Sequence, residues 1–461
     1  MSLVEQVKSR VLEPAVLRVY QWRGDPVARV LRPETKLDPY PLWADLRCRG
    51  PLFRSPLGVW ATSSHAIATK VLRDQRFSSS PVHQSGYKPP VYPPDDPRAG
   101  LPAADLLTLD PPDHTRLRRL VSKAFSPKVI ADLEPWIREV ADRLLAGIDV
   151  SAGFDLIETF ALPLPIAVIC HLLGIPIEDQ AKVRFWGHDI AATLEPQTDV
   201  AAKSRTRASE LALTAYLRDL VEKRRTEPDD SLLSSLVAAE EEGDRLSSGE
   251  LVATAALLLV AGFETTVNLI GNATVALLGE PDQWSRLGEE PALVPAAVEE
   301  LLRYDSPVQM TSRIATDDIE LDGATLPKGA AILVAIGGAN RDPDVFDHPD
   351  QLRIDRPEAS RHLAFSLGIH HCLGAALARI EGGIAIGELT RRYPKLEVVG
   401  IPTRRRLLVL RGYEHVPVRA PRSSRISLAL ASPEFREPSV SMGEQQRSNR
   451  TSVPPRAERS V

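Results

Sequence analysis

One cysteine in the C-terminal half of the chain stands in a setting suited to binding a metal ion. Cys372 precedes a helix-forming run, and Gly368 and Gly374 stand on either side of it. A helix start stabilises a thiolate, the form of cysteine that ligates metals or attacks carbon. Glycine lets the backbone approach a flat, bulky group. A zinc site is the less favoured alternative, because the neighbouring His370 and His371 cannot readily join Cys372 on one tetrahedral ion.

A carboxylate beside an alcohol, in the middle of a long apolar helix, is a second candidate. Ser247 and Glu250 form a capping-box pattern that predicts the helix start, and the helix should end before Gly279. Glu264 and Thr265 lie near its middle, where a buried carboxylate is costly unless it is paired or moves protons. The pair is either a proton relay, or a buried salt bridge beside a threonine that bonds its own helix.

Basic residues mark an earlier predicted helix. His114 and Arg118 are four residues apart and share one face of it. Arg116, Arg119 and Lys123 fall on another face. A solvated basic surface is the commoner meaning of such a run, so the motif by itself does not identify a function.

The elements that must position these residues are mostly helical. Helical periodicity dominates residues 117–303. Strand patterns occur at 319–321, before a turn at Asp322 and Gly323, and at 331–336, and we expect them to form one small sheet. The predicted fold class is mainly α with a small β portion.

Two stretches stand apart from this helical body. Residues 89–102 hold six prolines and predict a long loop, with a linker between domains as the alternative. Residues 421–461, rich in serine, arginine, proline and glutamate, predict a disordered tail. We therefore expect one domain over residues 1–420, followed by that tail.

Composition narrows the class of protein. A net charge of -5 gives no general attraction to nucleic acid or anionic lipid. The three cysteines are too far apart for a disulfide framework, which fits a reducing compartment. Charges interrupt the first twenty residues, and the uncharged run 251–263 is too short for a membrane span. We expect a cytoplasmic protein with no nucleic-acid partner and no membrane span.

The order of these motifs resembles the cytochrome P450 family of haem-thiolate monooxygenases. The resemblance covers roughly residues 37–418. Its four pieces are the HxxxR pair His114 and Arg118, the pair Glu264 and Thr265, the ExxR pair Glu300 and Arg303, and the FxxGxHxCxG signature from Phe365 to Gly374. The cysteine signature is the specific part, and an ExxR pair alone is usually a superficial ion pair.

The resemblance implies a cytochrome P450 fold, with the long central helix over a haem pocket, and haem b (iron protoporphyrin IX) as cofactor. Cys372 would be the axial iron ligand. The haem propionates would be bound by His114, Arg118, Arg313 and His370, since arginine and histidine can neutralise carboxylates in a protein interior.

It also implies a structural triad of Glu300, Arg303 and Arg356 that supports the cysteine loop. The chain departs from the family pattern in two places. Ser366 stands where the family often has glycine, and residues 352–357 lack the aromatic residues that usually flank the arginine.

The implied reaction inserts one oxygen atom from O2 into a lipid, sterol, terpenoid or polyketide, with Glu264 and Thr265 supplying protons. The sequence has no nicotinamide or flavin fingerprint, so a ferredoxin and its reductase would deliver the electrons. The ferredoxin would dock on the basic face of Arg116, Arg119 and Lys123, and the enzyme would be a monomer. The implied pocket lining is 89–102, 257–265, 308–311, Val409 and Leu410.

Two alternatives from other classes stay open. A haem-binding sensor or carrier without turnover would not need Glu264 and Thr265. A hydrolase using Cys372 as nucleophile would not need the cations expected to bind propionates.

Overall fold

Helices predominate in the part of the chain that the structure, a computed structural model, describes: residues 13–84, 87–89, 91–102, 104–195, 200–241 and 246–420. The strands are short. The predicted fold class is therefore confirmed. The predicted tail, 421–461, lies outside the described residues, and the division into one domain and a tail stays a prediction.

The helices, in chain order, are α1 Glu13–Trp22, α2 Pro26–Arg29, α3 Pro33–Leu37, α4 Tyr40–Cys48, α5 His65–Arg73, α6 Asp113–Ser122, α7 Pro127–Ala146, α8 Pro163–Leu173, α9 Gln180–Ala191, α10 Val200–Thr226, α11 Leu232–Glu241, α12 Ser248–Leu278, α13 Pro281–Glu289, α14 Val294–Tyr304, α15 Ile336–Ala339 and α16 Ala375–Arg392. The strands are β1 Phe53–Arg54, β2 Trp60–Thr62, β3 Phe77–Ser78, β4 Phe154–Asp155, β5 Thr311–Ala315, β6 Ile319–Leu321, β7 Ala324–Leu326, β8 Ala331–Val334, β9 Glu397–Val398, β10 Thr403–Arg404, β11 Tyr413–His415 and β12 Pro417–Arg419.

The central helix α12 begins and ends where the sequence predicts. The Ser247 hydroxyl accepts a hydrogen bond from the Glu250 N–H, and the Glu250 carboxylate accepts one from the Ser247 N–H, so the capping box is confirmed. By length and composition α12 could cross a membrane. It packs, however, against α8, α9, α14 and α16, and its apolar side chains belong to the largest hydrophobic cluster of the described residues. It is a core helix.

The strands form several small sheets, and the prediction of one sheet is wrong. β6 pairs only with β7, because Asp322 and Gly323, both with positive φ, close a two-residue hairpin. β8 instead lies in a five-stranded sheet of order β1-β2-β8-β5-β3, where it runs parallel to β2 and antiparallel to β5. The predicted strand 331–336 stops at Val334, because Ile336 begins α15.

The proline-rich segment is a loop fixed to the helical body. Its described residues form neither helix nor strand. The Arg98 guanidinium donates to the Glu210 carboxylate of α10 at 3.3 Å, and Arg218 of α10 donates to the carbonyls of Pro97 and Ala99. These contacts hold the loop against α10.

Candidate functional site

Cys372 lies in the loop that leads into α16. Its N–H donates to the Phe365 carbonyl at 2.8 Å, which folds the loop back on itself. The residue is exposed, yet protein atoms enclose the thiol so closely that burial raises its pKa, against the lowering effects of the Gly374 N–H and Arg118. A residue that is exposed although protein atoms enclose its thiol borders an opening in the protein. The expected stabilisation of the thiolate by the helix start is outweighed by burial.

The two glycines beside the cysteine have different roles. Gly368 has φ +69°, and a Cβ there would lie 2.3 Å from the Leu72 carbonyl oxygen of α5. Glycine at 368 is thus required by packing against α5, and the expectation that it also makes room for a bulky group stays a prediction. A Cβ at Gly374 would meet nothing closer than Phe125 at 4.0 Å, so that position does leave space.

Ser366 occupies a backbone conformation that favours glycine. Its φ is +58°, in the left-handed region. Its hydroxyl is buried and has no hydrogen-bond partner among the described residues. This departure from the family pattern therefore costs stability in two ways, through backbone strain and through an unsatisfied polar group.

We expect Ser366→Gly to raise the free energy of unfolding by about 1 kcal/mol, since relief of strain exceeds the extra entropy that glycine gives the unfolded chain. Ser366→Ala is the matched control, because it removes the hydroxyl and keeps the strain. Urea unfolding of the three proteins separates the two costs. A Ser366→Gly protein less stable than the wild type would contradict the strain argument.

Two histidines predicted to bind carboxylates meet in the interior. The rings of His114 on α6 and His370 in the cysteine loop lie 4.5 Å apart between centroids. The Nε2 atom of each is buried and has no hydrogen-bond partner among the described residues. Burial, the Arg313 guanidinium and the His114 ring lower the pKa of His370 to about 3. Both rings are therefore neutral at neutral pH and leave polar atoms available to another group.

The two predicted arginines add positive charge without a counter-ion. Arg313 on β5 is 5% exposed and donates only to the Thr311 hydroxyl and the Ser312 carbonyl, without an ion pair in the described part of the chain. Burial lowers its pKa to about 10. Arg118 donates to the His371 carbonyl at 2.5 Å.

This cluster of two arginines without an ion pair and two histidines with unsatisfied Nε2 atoms, among the described residues, fits an anionic group with more than one carboxylate. A buried cation without a partner is costly, and paired carboxylates would remove that cost. The two propionates of haem supply this chemistry beside the exposed sulfur of Cys372. The residues present therefore fit a haem, with Cys372 toward the iron and His114, Arg118, Arg313 and His370 toward the propionates.

The threonine of the acid–alcohol pair borders the same kind of opening. Thr265 is half-buried and Ala261, one turn earlier, is exposed, although both lie in the middle of a core helix. The Thr265 hydroxyl donates to the Ala261 carbonyl at 2.9 Å, and the helix is unbroken there. One face of α12 thus lines an internal opening with an alcohol.

The glutamate of the pair is buried and paired. Glu264 is 2% exposed, and its carboxylate meets the Arg405 guanidinium and the His188 ring. These partners outweigh burial and lower its pKa, so the carboxylate is ionised at neutral pH. The sequence did not indicate His188 and Arg405 as partners of Glu264, because they lie 76 and 141 residues away from it. The only available signal was that a buried carboxylate needs a cationic partner.

The predicted triad is assembled. Arg303 donates to both carboxylate oxygens of Glu300, at 2.6 and 2.9 Å, and Arg356 donates to the same oxygens at 3.1 Å. All three side chains are fully buried. The arginines also donate to main-chain carbonyls of Asn340, Pro349 and Gln351. The triad therefore fixes the fold of residues 340–356, the chain leading to the cysteine loop.

The predicted basic docking face is smaller than expected. Arg119 and Lys123 are exposed. Arg116 is half-buried and pairs with Asp113 and with Glu250, the capping-box residue of α12. Its expected place on the exposed face is wrong, because α6 packs close enough to the start of α12 for this ion pair to form.

Comparisons with known proteins agree with this geometry. The Cytochrome P450 family profile matches residues 200–403. The chain is 43% identical to a Vitamin D(3) 25-hydroxylase of Pseudonocardia autotrophica, over 84% of this chain and 95% of the relative. It is 38% identical to the 6-deoxyerythronolide B hydroxylase of Saccharopolyspora erythraea, over 83% of this chain and 96% of that relative.

Solved structures give the same result. The crystal structure of ligand-free CYP164A2 of Mycobacterium smegmatis is similar with a TM-score of 0.79 and 41% identity, covering 86% of this chain and 99% of that one. The structure of PksS, the cytochrome P450 of the Bacillus subtilis bacillaene polyketide synthase, is similar with a TM-score of 0.77 and 35% identity. The match covers 85% of this chain and 100% of that one.

Proposed function

Because the chain belongs to the cytochrome P450 family and is a monooxygenase of that family, we propose that it inserts one oxygen atom from O2 into a hydrophobic small molecule. The observation that carries the proposal is the exposed Cys372 together with two histidines whose Nε2 atoms lack a partner, His114 and His370, and two arginines without an ion pair among the described residues, Arg118 and Arg313. These residues would hold haem b, with the Cys372 sulfur binding its iron. We place this domain in residues 1–420.

A haem with a thiolate ligand supplies reductive cleavage of dioxygen and transfer of one oxygen atom to a C–H bond. The chain must bring protons to the oxygen side and keep bulk water away. Thr265 presents its hydroxyl on the opening and can turn from the Ala261 carbonyl to hold and pass a proton. Glu264, ionised and next in sequence, accepts the following proton.

We propose a large apolar substrate of the vitamin D or polyketide kind. Three similar proteins support this: the two hydroxylases named above, and PksS, which is named for polyketide biosynthesis. Two predicted lining segments meet in the structure, since Val308 and Leu410 form a β-bridge and the Gln309 N–H donates to the Val409 carbonyl at 2.8 Å. Lipids, sterols and terpenoids fit the same apolar lining.

The electrons come from a ferredoxin and its reductase in the cytoplasm. The support is charge: Arg119, on the helix that carries His114 and Arg118, and Lys123, directly after that helix, are exposed one turn apart. An acidic ferredoxin would be attracted to such a surface. The enzyme would act as a monomer.

We expect Thr265→Ala to bind haem and substrate and to consume reductant, but to release oxygen as hydrogen peroxide. A tenfold loss of coupled product corresponds to about 1.4 kcal/mol, which one hydrogen bond can supply. The measurement is the ratio of product formed to reductant consumed, together with the amount of peroxide released. The substrate is first identified by its type I spectral shift, from a panel of polyketides, sterols and vitamin D analogues.

Thr266→Ala is the matched control for Thr265→Ala. Thr266 is the next residue on α12, is buried, and its hydroxyl also bonds back to the helix, to the Gly262 carbonyl. The Thr266→Ala protein should be less stable than the wild type but keep the wild-type ratio of product to reductant. Equal ratios in Thr265→Ala and the wild type would instead favour a purely structural threonine.

A further inference from the structure

The proposed proton relay lacks a path to solvent. Glu264 is 2% exposed, so it cannot exchange protons with bulk water directly. The His188 ring, by contrast, is 57% exposed, and its Nδ1 atom lies 3.1 Å from the Glu264 Oε1 atom. His188 joins the enclosed carboxylate to the outside.

We propose that His188 is the proton-entry residue of the enzyme, which takes protons from water and passes them to Glu264. This inference rests on the proposed function, in which Glu264 and Thr265 move protons toward the oxygen side. It adds a third member to that relay, on α9 rather than on α12.

Close packing of α9 on α12 brings the histidine to the glutamate. Gly187 precedes His188, and a Cβ at 187 would lie 2.6 Å from the ring of Phe263. Phe263 in turn precedes Glu264. Only glycine lets the two helices approach this closely, so the contact between His188 and Glu264 is built into the packing of α9 on α12.

The Nδ1 atom of His188 has two partners that demand opposite protonation states. It lies 2.5 Å from an Arg405 guanidinium nitrogen, which can only donate, and Nδ1 must then carry no proton. Toward the ionised Glu264 it must donate. The two contacts thus correspond to two ring tautomers, one with the proton on Nε2 and one with the proton on Nδ1.

Proton transfer interconverts these tautomers. The Nδ1–H of the neutral ring passes its proton to Glu264 Oε1 while Nε2 takes one from water, so the charge of the ring is unchanged. The freed Nδ1 lone pair then accepts from Arg405, which replaces the hydrogen bond that the carboxylate gave up. Arg405 then releases Nδ1, a water molecule protonates Nδ1, and Nε2 loses its proton to solvent, which restores the first tautomer and leaves the transferred proton on Glu264. The ring therefore carries one proton inward per cycle.

Few other charged groups surround the ring. From α12 it meets Glu264, and from the segment after β10 it meets Arg405. On α9 itself, Arg184 pairs with Glu158, and Asp189 accepts from Ser209 of α10. Among the described residues, the charged partners of the ring are thus Glu264 and Arg405.

The first test is His188→Gln, which keeps a hydrogen-bonding side chain but cannot relay protons. Since a positioned proton donor contributes about 10²- to 10⁴-fold, we expect at least a tenfold lower ratio of product to reductant, with more peroxide and unchanged substrate affinity.

His415→Gln is the matched control. His415 is also half-exposed and also contacts a carboxylate through Nδ1, that of Asp155 at 2.6 Å. It should behave as the wild type. If His188→Gln kept the wild-type ratio of product to reductant, the proposal would be wrong.

A second test does not depend on turnover. Nitrogen-15 spectra of histidine-labelled holoenzyme at a pH where the ring is neutral distinguish protonated from unprotonated ring nitrogens. We expect Arg405→Met to favour the Nδ1–H tautomer of His188 and Glu264→Gln to favour the Nε2–H tautomer. A single tautomer that is the same in both variants and in the wild type would overturn the two-partner arrangement.

The two proposals fail differently. Uncoupling in Thr265→Ala together with a wild-type ratio in His188→Gln would remove only His188 from the relay. Absence of product from every substrate in the panel, with haem bound, would remove the proposed function itself.

Discussion

Reduced Cys372→Ala protein should show no red-shifted Soret band with carbon monoxide, whereas the wild type should show it fully. That band reports thiolate ligation, and Cys372 is the exposed cysteine in the loop that also carries His370, whose ring lies against that of His114. The expected loss is complete, because no other side chain can replace the sulfur as thiolate. Absorption spectra of the reduced proteins, normalised to haem content, measure it.

Three controls accompany this variant. Cys48→Ala and Cys170→Ala should keep the band, since Cys48 lies on α4 and Cys170 is buried in α8, where burial raises its pKa to about 12 and keeps the thiol neutral. His371→Ala should also keep it, which excludes the exposed neighbouring imidazole as the ligand. A fully haem-loaded wild type without the band would contradict thiolate ligation.

Arg303→Ala should lower the free energy of unfolding by about 3–5 kcal/mol, because it leaves the fully buried Glu300 carboxylate with one partner fewer. It also removes donors from the Asn340 and Pro349 carbonyls. The free energy of unfolding of natural proteins is about 5–15 kcal/mol in total, so little of the variant should remain folded at 37 °C. Denaturant unfolding at 15 °C, together with the yield of soluble protein, measures the loss.

Arg419→Ala provides the comparison for this buried pair. Arg419 pairs with Glu397 at 2.9 Å, and both side chains are more than half exposed. An exposed ion pair is worth about 0–1 kcal/mol, so its loss should be small. Similar losses in the two variants would show that the triad is no more important than a surface pair.

Local patterns in the sequence were enough to predict the start and end of α12 and the mainly helical class. Both rest on interactions between residues close in sequence, such as the reciprocal hydrogen bonds of Ser247 and Glu250. The turn at Asp322 and Gly323 was predicted for the same reason, but the partner of the strand before it was not. Which strands pair depends on contacts across the whole chain.

The sequence determined which residue types are available for chemistry: a thiolate, an acid beside an alcohol, and a set of histidines and arginines. Only the tertiary structure decided their state. Glycine 368 packs against α5, Arg116 is held by Glu250, and the buried Glu264 is paired with His188 and Arg405. The physical reason is that burial and the nearest opposite charge set both the accessibility and the charge of a polar side chain. Arg405 lies 141 residues from Glu264, and Leu72, the neighbour of Gly368, is still farther away in the sequence, so no local pattern contains these contacts.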